Sequence, residues 1–87
     1  MEIILQTPTQ TINFSIEWAE FNTDVGNFVI QKEHSPMILS LSRGKNFIIG
    51  LLDGTTRSFL VTTSAIAHIA PQLIRVLMSD LTPAQHE

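Results

Sequence analysis

The stretch Thr11-Ile-Asn-Phe-Ser-Ile-Glu-Trp18 alternates without interruption: Ile12, Phe14, Ile16 and Trp18 are apolar, and Thr11, Asn13, Ser15 and Glu17 are polar. A period of two places one set on each face of a β-strand, whereas a helix would scatter both sets around its axis. The reading makes this a strand with one buried face. Trp18 ends the apolar row and is expected in the core, with an interface anchor as the alternative. Phe21 lies three residues past Trp18, so the parity breaks. A bulge or the start of a new strand near Ala19 accounts for the break.

The rest of the chain continues the β pattern on both sides. Ile3 to Leu5 is a short apolar run closed by Thr7-Pro8-Thr9. Proline cannot donate to a ladder and suits a strand end. Asn22 to Gly26 reads as a turn, Phe28 to Ile30 as a strand, Lys32 to Pro36 as a loop, Met37 to Leu41 as a strand and Ser42 to Lys45 as a turn. Asp53-Gly54 separates Phe47–Leu52 from Thr55–Thr63. That dipeptide between β-rich runs predicts a hairpin with a type I′ turn. Ala65–Ile69 and Leu73–Met78 form a last pair joined across Ala70-Pro71-Gln72. Ala65 to Ala70 is the one segment with an ambiguous period. Residues 81–87 contain Pro83 and no periodicity, and are expected to be a tail after a single domain spanning residues 1–80.

Composition narrows the function. Of 87 residues, 44% are apolar and 15% charged. Small soluble proteins carry charge on about 25% of residues, so this surface is charge-poor and a covered face is implied. The chain has no cysteine, which excludes disulfides and thiolate metal sites. Five scattered Lys and Arg against eight Asp and Glu offer no cationic footprint for nucleic acid. No apolar run approaches the ~18 residues of a membrane span, so no direct membrane insertion is expected. The start has neither a basic n-region nor an Arg-rich amphipathic segment, and it reads as free of signal or transit peptide.

No catalytic pattern is present. His34, His68 and His86 have no partners at metal-ligand spacing, and no nucleophile elbow or phosphate-binding glycine loop occurs. No catalytic residue, cofactor or metal is expected. The carboxylates of Glu17, Glu20, Asp24, Asp53 and Asp80 are isolated and read as solvated positions. His68, between Ala67 and Ile69, is expected half-buried and hydrogen-bonded.

The segment Gly26–Leu41, GNFVIQKEHSPMILSL, resembles the G-E-F-G-I-L-P-G-H-A-P-L-L-T-A-L signature of F-type ATP synthase epsilon subunits, with Gly26, Phe28, Ile30, His34, Pro36 and Leu41 keeping their spacing. Asp53-Gly54 falls where that family has a D-G hairpin, Ser42–Gly44 resembles its K-P-G turn, and Ser64–Asp80 resembles its G-G-F-L-E-V-Q-P-N-K-V-T-V-L-A-D stretch. Thr7-Pro8 and Phe14 fit its T-P-x-x-x-V-F opening. There are departures. The family's P-G before the histidine is Lys32-Glu33, its glycine pair is Ser64-Ala65, and its common glutamate after Gly26 is Asn27.

The resemblance implies a flattened two-sheet β-sandwich of about eight to ten short strands, all-β. It implies a non-catalytic central-stalk subunit at the cytoplasmic face of the bacterial inner membrane. Its partners would be the gamma subunit and the membrane c-ring. His34, Ser35, Pro36, Met37 and Leu39 would face gamma, and Thr23, Asp24, Gly26 and Asn27 would face the c-ring. The family's C-terminal inhibitory helices have no counterpart in these residues. A free-standing β-sandwich adaptor, binding a peptide along a sheet edge, is the other class the sequence fits.

Overall fold

The structure is a computed structural model that describes residues 1–83. Nine strands follow one another in the order β1 (Glu2–Gln6), β2 (Thr11–Thr23), β3 (Gly26–Gln31), β4 (Met37–Leu41), β5 (Asn46–Leu51), β6 (Thr56–Leu60), β7 (Ala65–Ile69), β8 (Leu73–Met78) and β9 (Thr82–Pro83). The fold is all-β, as expected, and the described residues contain no helix. The ambiguous segment at Ala65 is strand β7, with Ala65, Ala67 and Ile69 buried and Ile66 and His68 exposed.

Two sheets share β2. The first runs β4-β7-β8-β1-β2, and the second runs from β2 through β5 and β6 to β9, with β3 on the other side of β2. Strand β2, 13 residues long, belongs to both. Its first residues, Thr11 to Ser15, pair with β1, and Ile16 onward pairs with β5 and β3. All pairs are antiparallel except β1 with β8. The principal extents are 28 × 27 × 27 Å, so the sandwich does not have the flattened outline expected of it.

The parity break sits where β2 changes sheets. Ile16 opposes Leu51 and Trp18 opposes Gly50, so β2 advances two residues while β5 advances one. The bulge is therefore at Glu17, two residues before the expected place, and β2 continues through it as one strand. Before it, Ile16 points inward; after it, Ala19 and Phe21 do. Trp18 is thrown onto the outer face of the second sheet, half-buried, and does not continue the core row. It lies over Gly50: a Cβ at that glycine would overlap Trp18 Nε1 and Cε2. Glycine is required there because a neighbour's ring occupies the space a side chain would take.

The core fills the space between the sheets. Ile3, Leu5, Ile16, Phe21, Ile30 and Phe47 are each at most 1% exposed. A row of rings runs through it, with Phe21–Phe47 centroids 5.5 Å apart, Phe47–Phe59 5.4 Å and Phe59–Phe14 6.2 Å. Arg57 covers the outer end, its guanidinium 5.5 Å from the Phe14 centroid. Such tilted and offset pairs exceed plain area burial in stabilising effect. Thr7 is the one buried polar residue among those described.

Turn chemistry departs from expectation in one place. The Asp53-Gly54 loop is closed by Leu51 N–H donating to Thr55 O at 2.8 Å and Gly54 N–H to Leu51 O at 3.1 Å. Gly54 has φ 90°, while Asp53 stays at negative φ. This is a three-residue loop with glycine at the left-handed position, not a type I′ turn. Asp53 holds it by accepting from the Thr55 hydroxyl at 2.6 Å and the Thr55 N–H at 3.0 Å. Those two bonds, the hydroxyl first, hold the Asp53 carboxyl below the usual carboxylate range, with a smaller contribution from Arg57.

The expected tail also differs. Leu81 packs against the core, and Thr82–Pro83 pair with Leu60 and Phe59 of β6. The sandwich thus extends to Pro83, because an apolar side chain at Leu81 draws the chain back onto the open edge of β6. The remainder of the expected tail, His86 included, lies outside the described residues.

Two outcomes follow from this geometry. Gly50→Ala should displace the Trp18 indole, lower stability by about 1–3 kcal/mol and red-shift the emission of the chain's lone tryptophan; an unshifted spectrum would show that the ring does not rest there. For Asp53, the lowered pKa means the Thr55 bonds contribute above the ordinary carboxylate pKa of about 4 and are lost as pH falls through the lowered value. Thr55→Val should move the Asp53 titration, followed by carboxyl NMR, upward toward the ordinary range.

Candidate partner-binding surface

The described residues offer no group of three or more His, Asp or Glu side chains that could hold a metal. No buried side-chain nitrogen or oxygen among them lacks a hydrogen-bond partner. Among the described residues, no helix is long and apolar enough to cross a membrane. What the surface offers is exposed apolar side chains and the edges of β3 and β4.

The residues singled out in the sequence lie on β3, β4 and the segments at their ends. β2 and β3 are joined by Asp24–Val25, with Thr23 paired to Gly26. The Thr23 hydroxyl donates to Gly26 O at 2.9 Å and accepts from Val25 N–H at 3.2 Å. Gly26 takes φ 137°, a conformation side chains rarely adopt, so this glycine is required by the turn. The turn rests on the β4–β5 connection. Ser42 N–H donates to Asn22 O at 2.9 Å and the Ser42 hydroxyl to Asp24 Oδ1 at 3.2 Å.

The structure thereby brings Thr23 and Asp24 beside the middle of β4. Thr23, Asp24, Val25, Ile38, Leu39 and Ser40 line a shallow hollow of about 180 Å³. Val25 and Ile38 are 86% and 67% exposed, the two most exposed large apolar residues of those described. Leu39 points the other way. It is 6% exposed and belongs to the core. The outward residues of β4 are Ile38 and Ser40, one step out of phase with the expected Met37 and Leu39. Met37 is half-buried and packs against the core edge.

His34, Ser35 and Pro36 stand at the opposite end of β3, roughly 17 Å of strand away from the turn. Their loop is tied to the β7–β8 turn by Glu33 N–H donating to Pro71 O at 2.8 Å and Gln72 Nε2–H to Glu33 Oε2 at 2.6 Å. His34 Nδ1 lies 2.8 Å from Ser35 O. Glu33 has φ 70° and is the one non-glycine residue among those described in the left-handed region. It stands where the signature quoted above has glycine. Ser64 and Ala65, in place of the glycine pair, stay at negative φ.

Two further surfaces were not legible as sites. On the outer face of the second sheet, the Asn27 amide donates to Glu20 Oε2 at 2.9 Å and Asn22 Oδ1 at 3.0 Å, and the Asn22 amide donates to Asn46 O at 2.9 Å. This network depends on Asn22 facing Asn27 across the hairpin, which only the register reveals. On the outer face of the first sheet, Ile38, His68 and Arg75 form one cross-strand row, and Ser40, Ile66 and Leu77 the next. Ile66 and Leu77 are each 46% exposed and line a hollow of about 430 Å³ with Ser40, Leu41, Ala65 and Met78. His68 is exposed in the first row, not half-buried, because alternation on β7 sends it outward.

Fold and surface together define a two-sheet β-sandwich with exposed apolar residues at the edge strand β4, at the β2–β3 turn and on the outer face of the first sheet. No protein-family model matches the chain, and no curated protein matches it by sequence. Solved structures do. A chain in the structure of the Euglena gracilis mitochondrial ATP synthase OSCP/F1/c-ring assembly superposes with a TM-score of 0.81 at 13% identity, over 93% of this chain and 51% of that one. A chain in the Tetrahymena thermophila mitochondrial ATP synthase central stalk/c-ring structure superposes with a TM-score of 0.74 at 23% identity, over 93% of this chain and 64% of that one. At these identities the likeness is one of fold. The chain spans between half and two thirds of the length of these neighbours.

Proposed function

We propose that the chain is a non-catalytic central-stalk subunit of a rotary F-type ATP synthase, of the epsilon type. It would connect the gamma subunit to the membrane c-ring and support ATP synthesis driven by an ion gradient. The observation that carries this reading is the coincidence of two independent likenesses. The Gly26–Leu41 motif falls on two edge strands and their connecting loop, in a fold shared with chains from two ATP synthase assemblies. A peripheral position on the cytoplasmic face of a bacterial inner membrane follows from the same reading.

In this role the Thr23–Asn27 turn meets the polar loops of the c-ring, and the His34–Met37 segment meets gamma, with Leu39 anchoring that strand from inside. The two contacts lie at opposite ends of β3, so torque passes along paired strands. Rigidity along that path is what the function needs, and a close-packed core with a strand shared between sheets supplies it. The Asn27 amide, held by Glu20 and Asn22, gives the turn a neutral contact point in place of a carboxylate.

A second reading keeps one observation in its favour. Among the described residues, β3 and β4 each have one unpaired edge, and neither strand contains a charged residue. Natural edges are usually blunted by charge, so these invite a partner strand. A free-standing adaptor would use them for a peptide.

Crosslinking separates the two. In the assembled synthase, Asn27→Cys should link to the c-ring and His34→Cys to gamma; if neither reaches its neighbour while another protein is captured, the adaptor reading stands instead. A second outcome concerns regulation. These 87 residues, added to the ATPase lacking this subunit, should leave ATP hydrolysis within about twofold of its starting rate, well short of a transition-state effect worth one decade or 1.4 kcal/mol. Strong inhibition in that assay would contradict a purely coupling role.

A further inference from the structure

The left-handed residue in the β3–β4 loop, Glu33, is exposed and sits in a conformation that costs an L-residue energy. Glycine would adopt the same φ freely, but it would also leave the loop free. Strained residues persist where their surroundings over-determine them, and here the surroundings are specific. Glu33 N–H reaches Pro71 O, and its carboxylate accepts from the Gln72 amide at 2.6 Å. Gln72 is itself fixed, because its carbonyl accepts from Glu2 N–H at 3.1 Å and so ties it to β1. On the other side, His34 N–H donates to Gln31 O at 3.2 Å, closing the turn that Glu33 bends.

The chain of contacts thus runs from β1 through Gln72 and Glu33 to His34. No other side-chain hydrogen bond among those described joins this loop to the body of the sandwich. We propose that Glu33 is a positioning residue: clamped by Gln72, it fixes the direction in which His34, Ser35 and Pro36 face their partner and so sets the affinity of that end of the molecule. The inference rests on the reading that this loop meets the gamma subunit.

The charge on Glu33 strengthens the clamp, since an amide donor to a carboxylate makes a stronger bond than one to a neutral oxygen. A glutamine at the same place keeps an acceptor oxygen within reach of Gln72. A glycine keeps the φ and loses the clamp. The position therefore allows backbone shape and clamping to be separated by substitution.

The experiment is a double-mutant cycle on the full chain, read as affinity for the host synthase complex depleted of this subunit. Glu33→Gly and Gln72→Ala should each weaken association by about fivefold, the size of one exposed charge-assisted hydrogen bond. The double variant should be no weaker than either single, because both changes remove one interaction. Glu33→Gln should bind within about twofold of the parent, well inside what one whole hydrogen bond provides. In the isolated chain, amide exchange at His34 and Ser35 should quicken in the glycine and alanine variants, with Tm held within about 2 °C. Parent-like binding by Glu33→Gly, or losses that add in the double variant, would overturn the clamp while leaving the rotor reading intact. Failure of the parent chain itself to associate would overturn both.

Discussion

The bulge at Glu17 is the constraint on which the rest of the sandwich depends. A single 13-residue strand has to serve two sheets, and one extra residue lets it do so. Without the extra residue the inward parity of Ile12, Phe14 and Ile16 would carry on to Trp18 and Glu20. Ala19 and Phe21 would then face solvent, and the ring row from Phe21 to Phe59 would lose its first member. A slip of one residue exchanges every inner and outer side chain beyond it, so the position of the bulge is worth the burial of half the second sheet. Gly50 makes the arrangement possible. It leaves room for the indole that the bulge expels, and the indole in turn covers a stretch of backbone that would otherwise be open.

Most of the fold was legible because each strand carries its own alternation and each turn its own residue. Gly26, Gly44 and Gly54 all take positive φ at turns visible as such in the sequence. The errors share a physical origin: they concern which face a residue takes once local parity has been altered by something distant. Trp18 ends an apolar row in the sequence and lies outside it in space. On β4 the apolar run Met37-Ile-Leu39 gives no phase, and only pairing with β7 shows that Leu39 faces in and Ile38 out. The Asp53-Gly54 dipeptide marks the turn correctly, but whether one or two residues go left-handed depends on the loop length that the β5–β6 register allows. Leu81 read as tail because two residues of pairing leave no periodic trace.

Of the candidate surface, the strand ends were legible and the detail was not. Gly26, His34 and Pro36 fall at or next to the ends of β3 and β4, since turn glycines and prolines announce the ends of strands. The polar network of Glu20, Asn22 and Asn27, and the rows of Ile38 with His68 and Ile66 with Leu77, arise from cross-strand neighbours far apart in sequence. No local pattern encodes them. Glu33 is a sharper case. A glutamate in a polar loop gives no sign of a left-handed backbone, and its partner Gln72 lies 39 positions away.

The two uncharged edges also bear on why so small a domain holds together. A chain of this length hides only about 60–65% of its unfolded surface, so its own core leaves little margin. Val25, Ile38, Ile66 and Leu77 are nonetheless left in solvent. A surface of this kind is costly for a free protein, which risks pairing with copies of itself along β3 or β4. In the proposed role it is reasonable, because a partner over β3, β4 and the outer face of the first sheet would complete the burial that the core cannot. On that view, stability and function are not separate properties here: the contacts that would carry load between neighbours are also those that would hide the exposed apolar rows, and a chain removed from its partners should lose part of both at once.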